Sequence, residues 1–143
     1  MKNLITTCCI LFLSLSAFSQ ALTDGTWYTA DKDARVKFYE TSEKVYGKII
    51  WMKEPTKDGK PKVDNLNPDK SKRNVPLQDF VFLKGFEKDG KNEWDDGTIY
   101  DPQSGKTYSS SMELENVNKL NVRGYIGISL IGRTSTFTRA TSN

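Results

Sequence analysis

The side chains best suited to chemistry gather in the second half of the chain. Tyr100-Asp101 and Tyr108 flank a Pro102-x-x-Gly105 turn, and Arg123 and Tyr125 follow farther along. A guanidinium and several phenols at one opening would orient an anionic or hydroxylated ligand, with the aromatic rings supplying apolar area. The same residues have a plainer reading, in which Asp101 caps its own turn, Arg123 forms a surface ion pair and the tyrosines pack as a girdle. Asp95, Asp96 and Asp101 offer oxygen ligands, but they lack the short regular spacing and later glutamate of a calcium loop. Glu40, Glu54 and Glu113 are candidate carboxylates for hydrolysis, which needs two acids converging at about 5–9.5 Å, and nothing in their spacing brings two together. Ser109-Ser110-Ser111 reads as an ordinary alternating strand.

The absences decide more. No histidine occurs in the 143 residues. Ser-His-Asp triads, Cys-His dyads and imidazole-bound zinc are therefore excluded. Both cysteines, Cys8 and Cys9, lie in an apolar leader, so a thiol nucleophile or thiolate metal site is excluded from the rest. The expectation is a protein that is not an enzyme and carries no metal and no cofactor.

Met1-Lys2-Asn3 is a short basic start, residues 4–18 are an apolar run, and Ala17-Phe18-Ser19 has the small–x–small pattern of a cleavage site. Residues 1–19 are accordingly read as a signal peptide cleaved before Gln20, and 20–143 as one domain, periplasmic or secreted. The run falls short of the roughly 20 apolar residues of a membrane span, so no stable membrane anchor is expected. A lipid anchor on Cys8 or Cys9 would require those residues to end the run, and the run mostly follows them. The formal net charge of +3 is spread along the chain, with Lys70-Ser71-Lys72-Arg73 as its one concentration. That cluster reads as a solvated loop, and no nucleic-acid partner is expected. A monomer is expected.

The elements that would position these residues are short strands. Residues 25–30, 35–39, 45–52, 80–86, 94–100, 106–114, 120–125 and 133–139 carry period-two alternation or apolar runs, separated by Asp-Gly, Asn-containing and Pro-x-x-Gly turns. Tyr108, Ser110, Met112 and Leu114 share one face. Leu120, Val122 and Gly124 share another, opposite Asn121, Arg123 and Tyr125. Gly47 suggests a bend or bulge, and Asp96-Gly97 a bend at the start of its strand. Residues 53–76 break the rhythm and read as a long loop and a candidate lid. About eight strands joined by tight turns predict an all-β, antiparallel, up-and-down barrel, since closure removes both exposed edges.

Gly25-x-Trp27 on the first strand with Arg139 on the last resembles the signature of the calycins, the lipocalin and fatty-acid-binding-protein group. In that group the arginine packs across the tryptophan, which implies that Gly25, Trp27 and Arg139 close one barrel end. A chain-long pattern resembles the bacterial family labelled domain of unknown function 2147. Its parts are Gly25-x-Trp27, Tyr46-Gly47-Lys48-Ile49, Glu54-Pro55 and Asp64-x-x-Asn67-Pro68. They continue with Ile99-Tyr100-Asp101-Pro102-x-x-Gly105-Lys106-x-Tyr108, Val122-Arg123-Gly124-Tyr125, Gly132-Arg133-Thr134 and Thr138-Arg139. Phe137 stands where the family more typically has tryptophan. The resemblance implies a small exported protein and no particular activity.

The resulting expectation is a barrel that binds a small, partly apolar ligand, hydrophobic or anionic, at its mouth. Tyr46, Lys48, Tyr100, Asp101, Tyr108, Arg123 and Tyr125 are the candidate contacts, with the 53–76 loop as gate. Two other readings stay open: an envelope module with a filled barrel that binds protein or glycan through its loops, and a histidine-free hydrolase using Asp or Glu.

Overall fold

The computed structural model describes residues 21–141. The expected signal peptide, its cleavage site, Cys8 and Cys9 lie outside the described residues. Ten strands follow in order: β1 (Trp27–Tyr28), β2 (Ala34–Thr41), β3 (Lys44–Met52), β4 (Thr56–Lys57), β5 (Lys60–Pro61), β6 (Val81–Lys88), β7 (Glu93–Asp101), β8 (Lys106–Asn116), β9 (Lys119–Tyr125) and β10 (Gly132–Arg139). Eight of them close into an antiparallel barrel in the order β1-β10-β9-β8-β7-β6-β3-β2, and β4-β5 form a separate hairpin. The predicted up-and-down barrel is the observed fold. Among the described residues no helix is long and apolar enough to cross a membrane, which says nothing about crossing by strands.

Period-two alternation sends one face of every strand inward. Val36 and Phe38 on β2, Val45 on β3, Met112 and Leu114 on β8, Leu120 and Val122 on β9 and Phe137 on β10 are all buried. Bulges let the sheet curl. The β7–β8 register shifts between Trp94 and Gly97, where Asp96 takes φ 58°. This is the bend that Asp96-Gly97 suggested, and it puts Trp94 and Gly97 both inside. A Cβ on Gly97 would lie 2.4 Å from Cδ1 of Phe86, so only glycine leaves room for that ring.

One end of the barrel is sealed. Trp27 is fully buried and registers with Arg139 on one side and Val36 on the other. The Arg139 guanidinium carbon sits 4.3 Å from the Trp27 ring centre, an attraction worth about 0.5–2 kcal/mol. Its Nε donates to the Val117 carbonyl at 2.7 Å and Nη1 donates to the Asp24 carbonyl. Trp27 Nε1 donates to the Leu22 carbonyl at 3.0 Å, which draws the buried Leu22 over the base.

The connections β1–β2, β3–β6, β7–β8 and β9–β10 lie at the other end. Residues 53–76, expected to be a long loop, carry structure of their own. They hold the β4-β5 hairpin, a bridge between Val63 and Pro76, and a 3-10 turn at Lys70–Lys72 capped by Asp69. The segment is pinned to the barrel by Asp64, which is completely buried. Its Oδ1 accepts from the Tyr100 hydroxyl at 2.7 Å and its Oδ2 from Asn67 Nδ2 at 2.7 Å.

Candidate functional site

The unsealed end contains a cavity because a layer with three small residues, Gly97, Ser110 and Gly124, crosses it. Gly97, Ser110, Gly124 and Arg133 are cross-strand neighbours on β7, β8, β9 and β10. The layer toward the sealed end holds Trp94, Met112, Val122 and Ser135 in the same register. Large side chains thus fill the barrel up to Val122, and beyond it the interior opens into a cavity of about 550 Å³. Ile99, Val122, Ile126 and Ile131 supply its apolar wall, and Asp101, Tyr108, Tyr125, Arg133 and Ser135 its polar groups. Gly124 keeps the wall thin, since a Cβ there would meet Ile99 Cγ2 at 3.3 Å and Tyr108 Cβ at 3.7 Å. Ser110 is fully buried beside it, and its hydroxyl has no hydrogen-bond partner among the described residues.

The two charges in the wall are held differently. Asp101 is engaged in its own hairpin: Oδ1 accepts from the Gln103 amide at 2.9 Å and Oδ2 from the Ser104 hydroxyl at 2.7 Å. Among the described residues no carboxylate lies within ion-pair reach of Arg133. The site therefore combines an apolar recess, two phenols and a cation without a counter-ion.

Asp101, Tyr108 and Tyr125 come together at this cavity; the other candidate contacts do not. Tyr100 follows inward-facing Ile99, so it lies on the outer face, against Phe80 at 5.7 Å between ring centres and bonded to Asp64. Burial, and then the hydrogen bond to Asp64, push the Tyr100 hydroxyl up to about 12. Arg123 also faces out, where Nε donates to the Ser129 carbonyl at 2.7 Å and Nη1 to Thr134 Oγ1 at 2.9 Å. There it lines an outer recess of about 350 Å³ with Asp95, Ser111, Glu113 and Asn121. Tyr46 stacks on Tyr39 at 5.7 Å, and Lys48 Nζ lies 5.9 Å from the Tyr39 ring. None of residues 53–76 lines the cavity; the segment beside it is the β9–β10 connection.

The carboxylates named for hydrolysis are dispersed. Glu54 is 3.8 Å from Lys62, Glu113 lines the outer recess, and Glu40 registers with Val45 on β3. Among the described residues no group of three or more metal-ligating side chains is placed to hold an ion.

Arg133 and Ser135 were missing from the sequence-based set, although their signal was available. Both share the parity of buried Phe137, which places them on the inner face of β10.

A closed eight-stranded meander, sealed at one end and hollow at the other, defines a lipocalin-like barrel. A solved Helicobacter pylori protein, HP1028, described as belonging to the lipocalin family, superposes with a TM-score of 0.73 at 26% identity over 82% of each chain. No curated protein matches the chain. The chain belongs to the family described as an uncharacterized protein conserved in bacteria, DUF2147, which matches residues 25–139.

Proposed function

We propose that this protein binds one small, partly apolar, anionic ligand in the mouth of its barrel. The observation that carries the reading is the cavity of about 550 Å³. Its size falls in the range of small-molecule sites, about 300–1,000 Å³. Arg133, with no carboxylate partner among the described residues, would take the anionic group, Tyr108 and Tyr125 would orient it, and Ile99, Val122, Ile126 and Ile131 would cover the apolar part. The lipocalin description of the Helicobacter pylori relative supports a ligand-binding barrel. The apolar recess at the mouth favours this reading over an interaction module with a filled barrel. The proposal includes export, supported by the leader pattern of residues 1–19.

Native mass spectrometry of the protein purified from its own cells is the test. A co-purifying small molecule is expected, together with a thermal shift for an amphipathic carboxylate or phosphate in a lipid and metabolite panel. Arg133→Ala should weaken binding by at least about tenfold, as expected for loss of a charge-assisted hydrogen bond. No bound molecule and no shift across the panel would overturn the reading.

A further inference from the structure

The mouth of the barrel is apolar on its outside as well as within. In the connection between β9 and β10, Ile126 is 71% exposed, Ile128 59%, Leu130 85% and Ile131 68%. Leu66 and Trp51 are also exposed. Leu66 lies at the same end, because its carbonyl is the atom a Cβ on Gly105 of the β7–β8 hairpin would strike. Trp51 sits where β3 runs out toward that end. The turns at the sealed end are polar in contrast: Ser42-Glu43, Asp89-Gly90-Lys91-Asn92 and the Asn118 corner. Soluble proteins scatter exposed aliphatics singly, and a contiguous set marks a contact surface.

The loop is also built to present these side chains. Arg123 Nε donates to the Ser129 carbonyl at 2.7 Å, the Ile131 amide donates to the Ile128 carbonyl at 3.1 Å, and Gly127 takes φ 76°. A folded, tethered turn thus holds four aliphatic groups in water.

Charge identifies the occupant. Residues 53–76, which reach the same rim through Leu66, carry seven Lys and Arg against four Asp and Glu, a surplus equal to the +3 of the whole chain. An apolar projection at a rim that a basic segment also reaches, through Leu66, is the pattern of a protein that lies on an anionic bilayer. A second copy of this chain would instead bring two basic surpluses face to face.

We propose that the mouth end docks reversibly on the surface of an anionic phospholipid bilayer, with Ile128 and Leu130, which do not line the cavity, entering the headgroup region. The proposal goes beyond ligand binding and stands without it. Each basic residue near an anionic surface multiplies partitioning by about fivefold, so neutral lipid should be a much poorer target.

The test is co-sedimentation of the protein from its own cells with vesicles of phosphatidylglycerol and phosphatidylcholine in equal parts, against phosphatidylcholine alone. The wild type and a variant carrying Ile128→Ser and Leu130→Ser are compared. Both proteins have the same residues before position 21, so any difference between them reads the loop. The two side chains stand in solvent, and circular dichroism should confirm an unchanged fold. Binding to anionic vesicles that falls about tenfold or more in the variant is the expected result. Equal binding by both proteins, equal binding to neutral vesicles, or no binding by the wild type overturns the proposal. So does a dimer in sedimentation velocity that the variant abolishes without any vesicle binding, which would assign the surface to a second copy. Failure here leaves the thermal-shift result for the cavity untouched, so the two readings fail separately.

Discussion

The bond between Asp64 and Tyr100 should be worth a measurable fraction of the whole stability, because it ties a 24-residue excursion (residues 53–76) to the barrel wall through one completely buried carboxylate. Tyr100→Phe keeps the ring against Phe80 and deletes only the donor at 2.7 Å. Hydrogen bonds to a charged group contribute about 1.5–3 kcal/mol net, so a loss of about 2 kcal/mol is expected. Asp64→Ala also removes the acceptor for Asn67 Nδ2 and should cost about 3–4 kcal/mol. The double variant should lie close to Asp64→Ala, giving a coupling of about 1.5–2 kcal/mol. Urea unfolding followed by tryptophan fluorescence reads all four proteins. The bond has an alkaline signature too. The Tyr100 hydroxyl is raised from 10.0 to about 12, so the folded state holds this proton more tightly than the unfolded chain. Its contribution is complete below about pH 10 and is lost as the pH rises through about 12. Two units correspond to about 2–3 kcal/mol, which solvent screening at a partly exposed phenol reduces to about 1–2 kcal/mol. The wild type should lose that amount relative to Tyr100→Phe across this window. A coupling below about 0.5 kcal/mol, or identical alkaline losses in the two proteins, would refute the reasoning.

Gly97→Ala should destabilise by about 1–3 kcal/mol, since its methyl would overlap the Phe86 ring, and adding Phe86→Leu should cost less than the sum of the two single changes in thermal or urea unfolding. Arg139→Met should cost about 3–5 kcal/mol by removing the guanidinium from Trp27 and leaving the Val117 and Asp24 carbonyls without their donor. Arg139→Lys should recover less than half of that loss in the same urea assay, because an ammonium cannot span both carbonyls and the ring.

Parity made the fold legible and also sorts the candidate contacts between the two faces of the sheet. Phe137, Leu120, Leu114 and Val36 announce the inner face of their strands, and the same alternation carries inward to Arg133 and outward to Arg123. Residue chemistry points to Arg123 and Tyr100, whereas period-two alternation on strands with one buried face turns both away from the cavity. Tyr125 ends β9 opposite Gly132 and borders the cavity where the chain enters the β9–β10 connection. The ordering of residues 53–76 was not legible for a different reason. It depends on a pairing between Asp64 and Tyr100, 36 positions apart, and no local pattern encodes such a partnership. The bulge at Asp96-Gly97 was half legible: the glycine marks a bend, but its need for room comes from Phe86 on the neighbouring strand.

The seal over Trp27 also determines how the molecule can be attached to anything else. The Ala140 amide donates to the Thr26 carbonyl at 2.8 Å, so the two ends of the barrel chain leave side by side at the sealed pole. A tag, a resin or a fused domain joined at either end would hold the molecule by its base and leave the hollow pole facing away. Immobilised in this way, every copy would display its cavity and its aliphatic loop in one orientation, whichever terminus carries the tether.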